Sequence, residues 1–134
     1  MPKAVGLWTE AAELGSIEAL YNLGDSYFRG EGVQEDKAVA AEFYKKAAMQ
    51  GHAMSRYSLG CYEGQKGNYD RAVRHMLISA KMGDKDSLEK MKKGFMAGHA
   101  TKEQYTQALK GYQDAVAEMK SHDRDKVKRL KARK

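Results

Sequence analysis

Cysteine, proline and β-branched residues are scarce in this chain. One cysteine, Cys61, and one proline, Pro2, stand among 134 residues. A lone cysteine makes no internal disulfide and lacks a second thiol for a metal or redox motif, so a reducing compartment is expected. Little proline and few β-branched residues favour helix over sheet, and no strand is expected. No apolar run reaches the length of a signal-peptide core or a membrane span, which points to a cytoplasmic protein, with the nucleus as the alternative. His52, His75, His99 and His122 are scattered, with no pair at helical spacing, and they argue against a zinc site. Gly30-Glu31-Gly32 lacks the lysine of a phosphate loop and follows a helical pattern rather than a strand. Without an acid and base pair, an activated nucleophile or a cofactor motif, neither catalysis nor a cofactor is expected.

The net charge of +6 resembles a nucleic-acid signal until it is located. Residues 1–119 hold 16 basic and 16 acidic side chains, whereas the segment from Lys120 onward holds eight basic residues against Asp123 and Asp125. The body is neutral and the excess belongs to the end. Lys126, Lys128, Arg129, Lys131, Arg133 and Lys134 form a cluster able to attract a polyanion without a fold, although no aromatic residue is interleaved to stack bases. A solvated helix end is the plainer reading of the same run.

What is abundant is repetition. Ala4, Ala40, Ala72 and Ala108 lie 36, 32 and 36 residues apart. Four residues on stand Trp8, Tyr44, Met76 and Tyr112, and seven on stand Ala11, Ala47, Ser79 and Ala115. Gly15, Gly51 and Gly83 follow at eleven, and Met119 breaks the series. Small, large and small residues at that spacing form one face of a helix, with a glycine stop after it. A unit of this kind buries its face only by stacking on copies of itself.

The first helix is expected over residues 3–14, with Ala4, Leu7, Trp8, Ala11 and Ala12 on its apolar face. Ser16 caps a second helix over 17–28, whose face is Leu20, Leu23, Gly24 and Tyr27. Glycine at mid-helix costs about 1 kcal/mol against alanine, and Gly24 is therefore read as a close approach to the partner helix. Asp36 caps a return helix over 37–50. The cycle resumes with helices over 53–62 and 69–82, the latter capped by Asn68, and over 85–96. In the last of these Leu88, Met91 and Phe95 take the places of Leu20, Leu23 and Tyr27, and Lys92 replaces the glycine. Thr101 to Gln104 has the form of a capping box and starts a final helix, which is expected to bend near Ser121 or fray after Lys120.

The run Ala19-x3-Leu23-Gly24-x2-Tyr27-x2-Gly30-x-Gly32-Val33-x2-Asp36-x3-Ala40-x3-Tyr44-x2-Ala47-Ala48-x2-Gly51 resembles a Sel-one-like repeat, a relative of the tetratricopeptide repeat. The unit from His52 departs from the pattern, since Glu63 replaces the tyrosine and the turn is shortened to Gly64-Gln65-Lys66-Gly67. The resemblance covers about residues 3–118: a half repeat over 3–15 and full repeats over 16–51, 52–83 and 84–119, with 121–134 as a basic tail, partly helical or disordered. It implies an all-α, right-handed superhelix of antiparallel helix pairs, similar to a tetratricopeptide solenoid, whose first helices line a concave face. It also implies an adaptor or scaffold that holds a peptide or partner protein. A chain that opens half-way through a repeat is expected to be a fragment, or an array that borrows a helix from another subunit; the expected state is a monomer or weak homo-oligomer.

Groove positions follow from that resemblance. They are Glu18, Tyr21, Asp25, Phe28 and Arg29 in the first full repeat, Met54, Tyr57, Cys61 and Gln65 in the second, and Asp86, Glu89, Lys93 and Met96 in the third. Tyr21 and Tyr57 lie 36 residues apart and would form an aromatic ladder for a peptide, or else pad the seam between repeats.

Overall fold

The structure is a computed structural model that describes residues 3–132. Seven helices follow one another: α1 (Lys3–Glu13), α2 (Ile17–Arg29), α3 (Lys37–Met49), α4 (Ala53–Gln65), α5 (Tyr69–Lys81), α6 (Lys85–Met96) and α7 (Lys102–Ala132). No strand occurs among the described residues. Each helix packs on the next through α6, and α7 returns to lie against both α5 and α6. The result is an all-α stack of helix pairs.

Local chemistry sets the boundaries. The Ser16 side chain accepts from the Ala19 amide and Asp36 from the Val39 amide, as their capping roles require. Thr101 and Gln104 exchange reciprocal bonds of 2.8 and 3.1 Å, a complete capping box. Gly15, Gly51 and Gly83 sit at φ of 93°, 90° and 93°, the left-handed conformation that a side chain would strain. The half repeat and the first two full repeats therefore end in the same way, and the last does not.

The repeat register also holds inside. Ala40, Ala47 and Ala108 are completely buried, Tyr44 is 3% exposed, and Ala72 is half-buried. Leu23, Leu59 and Met91 anchor the successive first helices α2, α4 and α6, each burial contributing roughly 1.5–3 kcal/mol. Gly24 brings α2 against α3 so closely that a Cβ there would stand 2.6 Å from the Tyr44 ring.

Four expectations are corrected. Ala4 and Leu7 are exposed while Val5 is buried, because α1 turns Val5, Thr9 and Ala12 toward its neighbours and no described helix covers its other side. Helix α4 runs through Gly64 to Gln65 rather than stopping at Tyr62; two glycines in the turn were over-read as a break. Asn68 makes no capping bond, since its side-chain amide donates to Glu63 Oε2 at 2.7 Å. Helix α7 continues unbroken past Lys120 and through Ser121 to Ala132. That extension lies wholly in solvent, every residue from 117 to 132 being exposed. Arg133 and Lys134 lie outside the described residues.

Candidate functional site

The first helices α2, α4 and α6 carry the residues expected to meet a partner, and the structure divides them by burial. Glu18, Arg29, Met54, Gln65, Asp86, Glu89, Lys93 and Met96 are exposed. Tyr21, Asp25, Phe28, Tyr57 and Cys61 are half-buried and tied into the packing.

The ties are specific. Tyr44 of α3 donates its hydroxyl to Asp25 Oδ1 of α2 at 2.5 Å, across the contact that Gly24 opens. Burial, then the bond to Asp25, pushes the Tyr44 phenol far above its ordinary range, so it stays a donor. Tyr21 lies with its ring centroid 5.9 Å from that of Tyr44 and 4.9 Å from that of His52, and burial, followed by the Asp25 charge, raises its phenol as well. The Tyr21 ring thus bridges two repeats while keeping one side accessible. Tyr57 packs against the second cluster of core residues, and its phenol is pushed up to about 12, by burial first and by the hydrogen bond with Cys61 second. Asp84 and Asp86 stand near enough to add to that shift. At neutral pH this row therefore offers neutral hydroxyls and aromatic faces beside carboxylates.

Sequence reasoning missed three polar devices. His52 caps α4, its Nδ1 accepting from the Ser55 amide at 3.3 Å, while its Nε2 faces Glu18 at 3.4 Å. Asp84 caps α6 through both the amide and the hydroxyl of Ser87. Ser79, which stands where other repeats have alanine, donates to the Ala53 carbonyl at 2.8 Å and pins α5 to α4. A cap at 84 was legible from aspartate three residues before serine; the other two needed coordinates.

A cleft of about 430 Å³ opens where α4, α5 and α6 meet. Gly60, Gly64, Ala72, Met76, Met91 and Gly94 supply its floor and sides, and the rings of Tyr69 and His99 stack 3.7 Å apart along one edge. Cys61 and Lys93, both expected in the groove, lie on its lining. Among the described residues no three His, Cys, Asp or Glu side chains gather to hold a metal, and no helix is long and apolar enough to cross a membrane.

Comparison with known proteins agrees with the repeat geometry. The Sel1 repeat profile matches residues 1–16, 17–52 and 53–84. Curated relatives include the ERAD-associated E3 ubiquitin-protein ligase component HRD3A of Arabidopsis thaliana, 38% identical over 58 residues, which are 43% of this chain and 9% of that protein. DAP3-binding cell death enhancer 1 of Rattus norvegicus is 35% identical over 94 residues, 67% of this chain and 18% of that protein. The chain thus spans only a small part of the length of these relatives. Similar solved structures include c5321, a protective antigen of uropathogenic Escherichia coli with an SLR fold, at a TM-score of 0.68 and 31% identity over 83% of this chain and 25% of that one. A Sel1 repeat protein from Oxalobacter formigenes follows at 0.66 and 28%, covering 85% of this chain and 49% of its own. With three consecutive profile matches over helices that pack in the same register, the chain belongs to the Sel1 repeat family.

Proposed function

We propose that this chain is a non-catalytic adaptor, which holds a peptide or a segment of a partner protein along a groove lined by α2, α4 and α6. The observation that carries the reading is the alignment of Tyr21 and Tyr57, half-buried rings at equivalent places in successive repeats, with exposed Glu18, Arg29, Met54, Glu89 and Lys93 around them. Rigid aromatic faces give contact area at small entropic cost, and the mixed charges set register. Membership of a repeat family of protein-interaction modules supports it. One relative is named as a component of a ligase and another for binding DAP3.

The test is capture from native extract with the intact chain beside the Tyr21→Ala/Tyr57→Ala variant. The variant should stay helical by circular dichroism and lose the partner; retention of the same partner by the helical variant would overturn the groove assignment. Because both rings also pack in seams, the Tyr21→Phe/Tyr57→Phe variant serves as the control that keeps shape. The cytoplasm is the proposed setting, and a monomer or weak homo-oligomer the proposed state.

A second reading rests on the extension of α7, where Lys126, Lys128, Arg129 and Lys131 are all exposed on a helix with no covering element. Such a helix would attract nucleic acid or another polyanion through charge alone, with affinity that collapses as salt rises. Deleting residues 121–134 should then abolish nucleic-acid binding and change the location in cells. Unchanged behaviour would dispose of this reading.

A further inference from the structure

The two seams between full repeats are built from equivalent positions and filled differently. In the first, Phe28 packs against the cluster around Ala40, Tyr44 and Leu59, with its ring centroid 6.4 Å from that of Tyr44. In the second, the corresponding residues are Gly64 for Phe28, Met76 for Tyr44 and Gly94 for Tyr62. Two aromatic rings have become hydrogen atoms and a third has become a slender thioether. The cleft of about 430 Å³ opens beside Gly64, Met76 and Gly94, where those larger side chains are missing. A Cβ added at Gly64 or Gly94 meets only a methyl group at 3.8 Å in either case, so neither glycine is needed for close packing. Their absence of a side chain serves the opening.

The rim gives the opening a sign. Lys90 and Lys93 of α6 lie on it, and no carboxylate does. Asp86, on the same helix, stands beside Tyr57 instead. Met76 and Met91 at the floor are polarizable and adaptable, suited to an aromatic ring. A second copy's exposed apolar residues on the α7 extension, Val127 and Leu130, sit in a strongly basic stretch and would meet these lysines with like charge.

We infer that the cleft between α4, α5 and α6 receives one large apolar side chain, aromatic by preference, from a partner peptide whose flanking residues are acidic. This inference rests on the adaptor reading and adds to it an anchor pocket and a charge preference. The anchor enters between Gly64 and Gly94, its face against Met76 and Met91, while carboxylates on either side meet Lys90 and Lys93. Exposed ion pairs of this kind add selectivity more than affinity, so binding weakens but persists as salt rises.

The experiment uses the full chain and fluorescein-labelled synthetic peptides with a central tryptophan or alanine and aspartate-rich, neutral or lysine-rich flanks, read by fluorescence polarisation. The aspartate-flanked tryptophan peptide should bind at least about tenfold more tightly than its alanine or lysine-flanked counterparts. The Gly64→Phe/Gly94→Tyr variant restores the side chains of the first seam and should lose that preference while melting no lower than the parent. Lys90→Glu/Lys93→Glu should keep the tryptophan requirement and lose the preference for acid flanks. Undiminished binding by the filled, folded variant would overturn the inference, as would a parent that does not distinguish the peptides. So would self-association of the parent, seen by sizing and abolished by filling, because the occupant would then be a second copy. If the filled variant still captures a protein from extract that Tyr21→Ala/Tyr57→Ala does not, the anchor pocket falls and the adaptor reading stands. If the peptides behave as expected while extract capture is indifferent to Tyr21 and Tyr57, the groove assignment falls instead.

Discussion

Gly24 and Gly60 stand at the same place in successive repeats, yet one faces a rigid ring held by a hydrogen bond and the other the free end of a methionine. In the first repeat Tyr44, Phe28, Tyr21 and Asp25 hold α2 and α3 together, and Leu59 of α4 packs on the cluster they form. The second relies on Val73, Met76, Ala80 and Met91, with an open cleft beside them. A repeat family keeps its backbone register with small residues and leaves the large ones free to vary. Where they remain aromatic the seam is structural; where they shrink, space appears that a partner can use.

The sharpest way to break this comparison is to truncate the two equivalent residues. Tyr44→Ala should cost about 3–5 kcal/mol, because it removes a buried ring and strands Asp25. Met76→Ala should cost nearer to about 2 kcal/mol, since its side chain already borders open space. Urea denaturation measures both, and equal losses would remove the distinction between the seams.

The glycines come next. Gly24→Ala should destabilise by about 1–3 kcal/mol, as the added Cβ must displace the ring of Tyr44. Gly60→Ala places its Cβ 2.7 Å from Met76 Cε, a flexible end that can swing into the cleft, and 3.3 Å from the fixed Ala72 carbonyl oxygen. The gain in helix propensity, about 1 kcal/mol, offsets part of this crowding, and the loss is smaller than at Gly24. Thermal melts of the two variants decide the matter. At Gly64 and Gly94 the added methyl makes only an ordinary contact at 3.8 Å, and each substitution should raise stability by up to about 1 kcal/mol.

The smallest effect concerns pH. His75 of α5 takes the place of Phe43 in α3, whose ring stacks with that of Tyr27 at 5.6 Å. Burial first and Arg56 second lower the His75 imidazole below its ordinary value of 6.5, against a weaker opposite pull from Glu63. The unfolded chain therefore binds the proton more readily than the folded one. Stability supported by the neutral ring is present above the ordinary value and is lost as pH falls below it toward the lowered one. A His75→Phe variant, which copies the first repeat, should lose less stability between about pH 7 and about pH 5 than the parent does. An identical loss in both proteins would place the acid sensitivity elsewhere.

Much of this was legible before any coordinates. The series Ala40, Ala72, Ala108 and the stops Gly15, Gly51 and Gly83 located the helices because each helix depends on local spacing and on a backbone conformation that glycine favours. Gly24 read correctly as a close approach because a mid-helix glycine needs compensation. The candidate site was less legible. Asp25 and Cys61 were expected along the groove, yet Asp25 accepts from Tyr44 and Cys61 is half-buried against the core. Ala4 and Leu7 looked buried by periodicity, but burial requires a neighbour, and periodicity does not supply one.

The sequence by itself determined the number and order of the helices, the caps at Ser16, Asp36 and Thr101, the stops at Gly15, Gly51 and Gly83, the phase of the repeats and the concentration of positive charge after residue 119, since all of these depend on spacing and composition. Tertiary structure alone decided that Tyr44 and Asp25 bind one another across the α2–α3 contact, and that a cleft stays open around the equivalent Met76 beside Gly64 and Gly94. Whether a small residue admits a neighbour or leaves a gap depends on what the facing helix presents, and that partner lies some twenty to thirty residues away along the chain, for instance at Ala53 and Ser79.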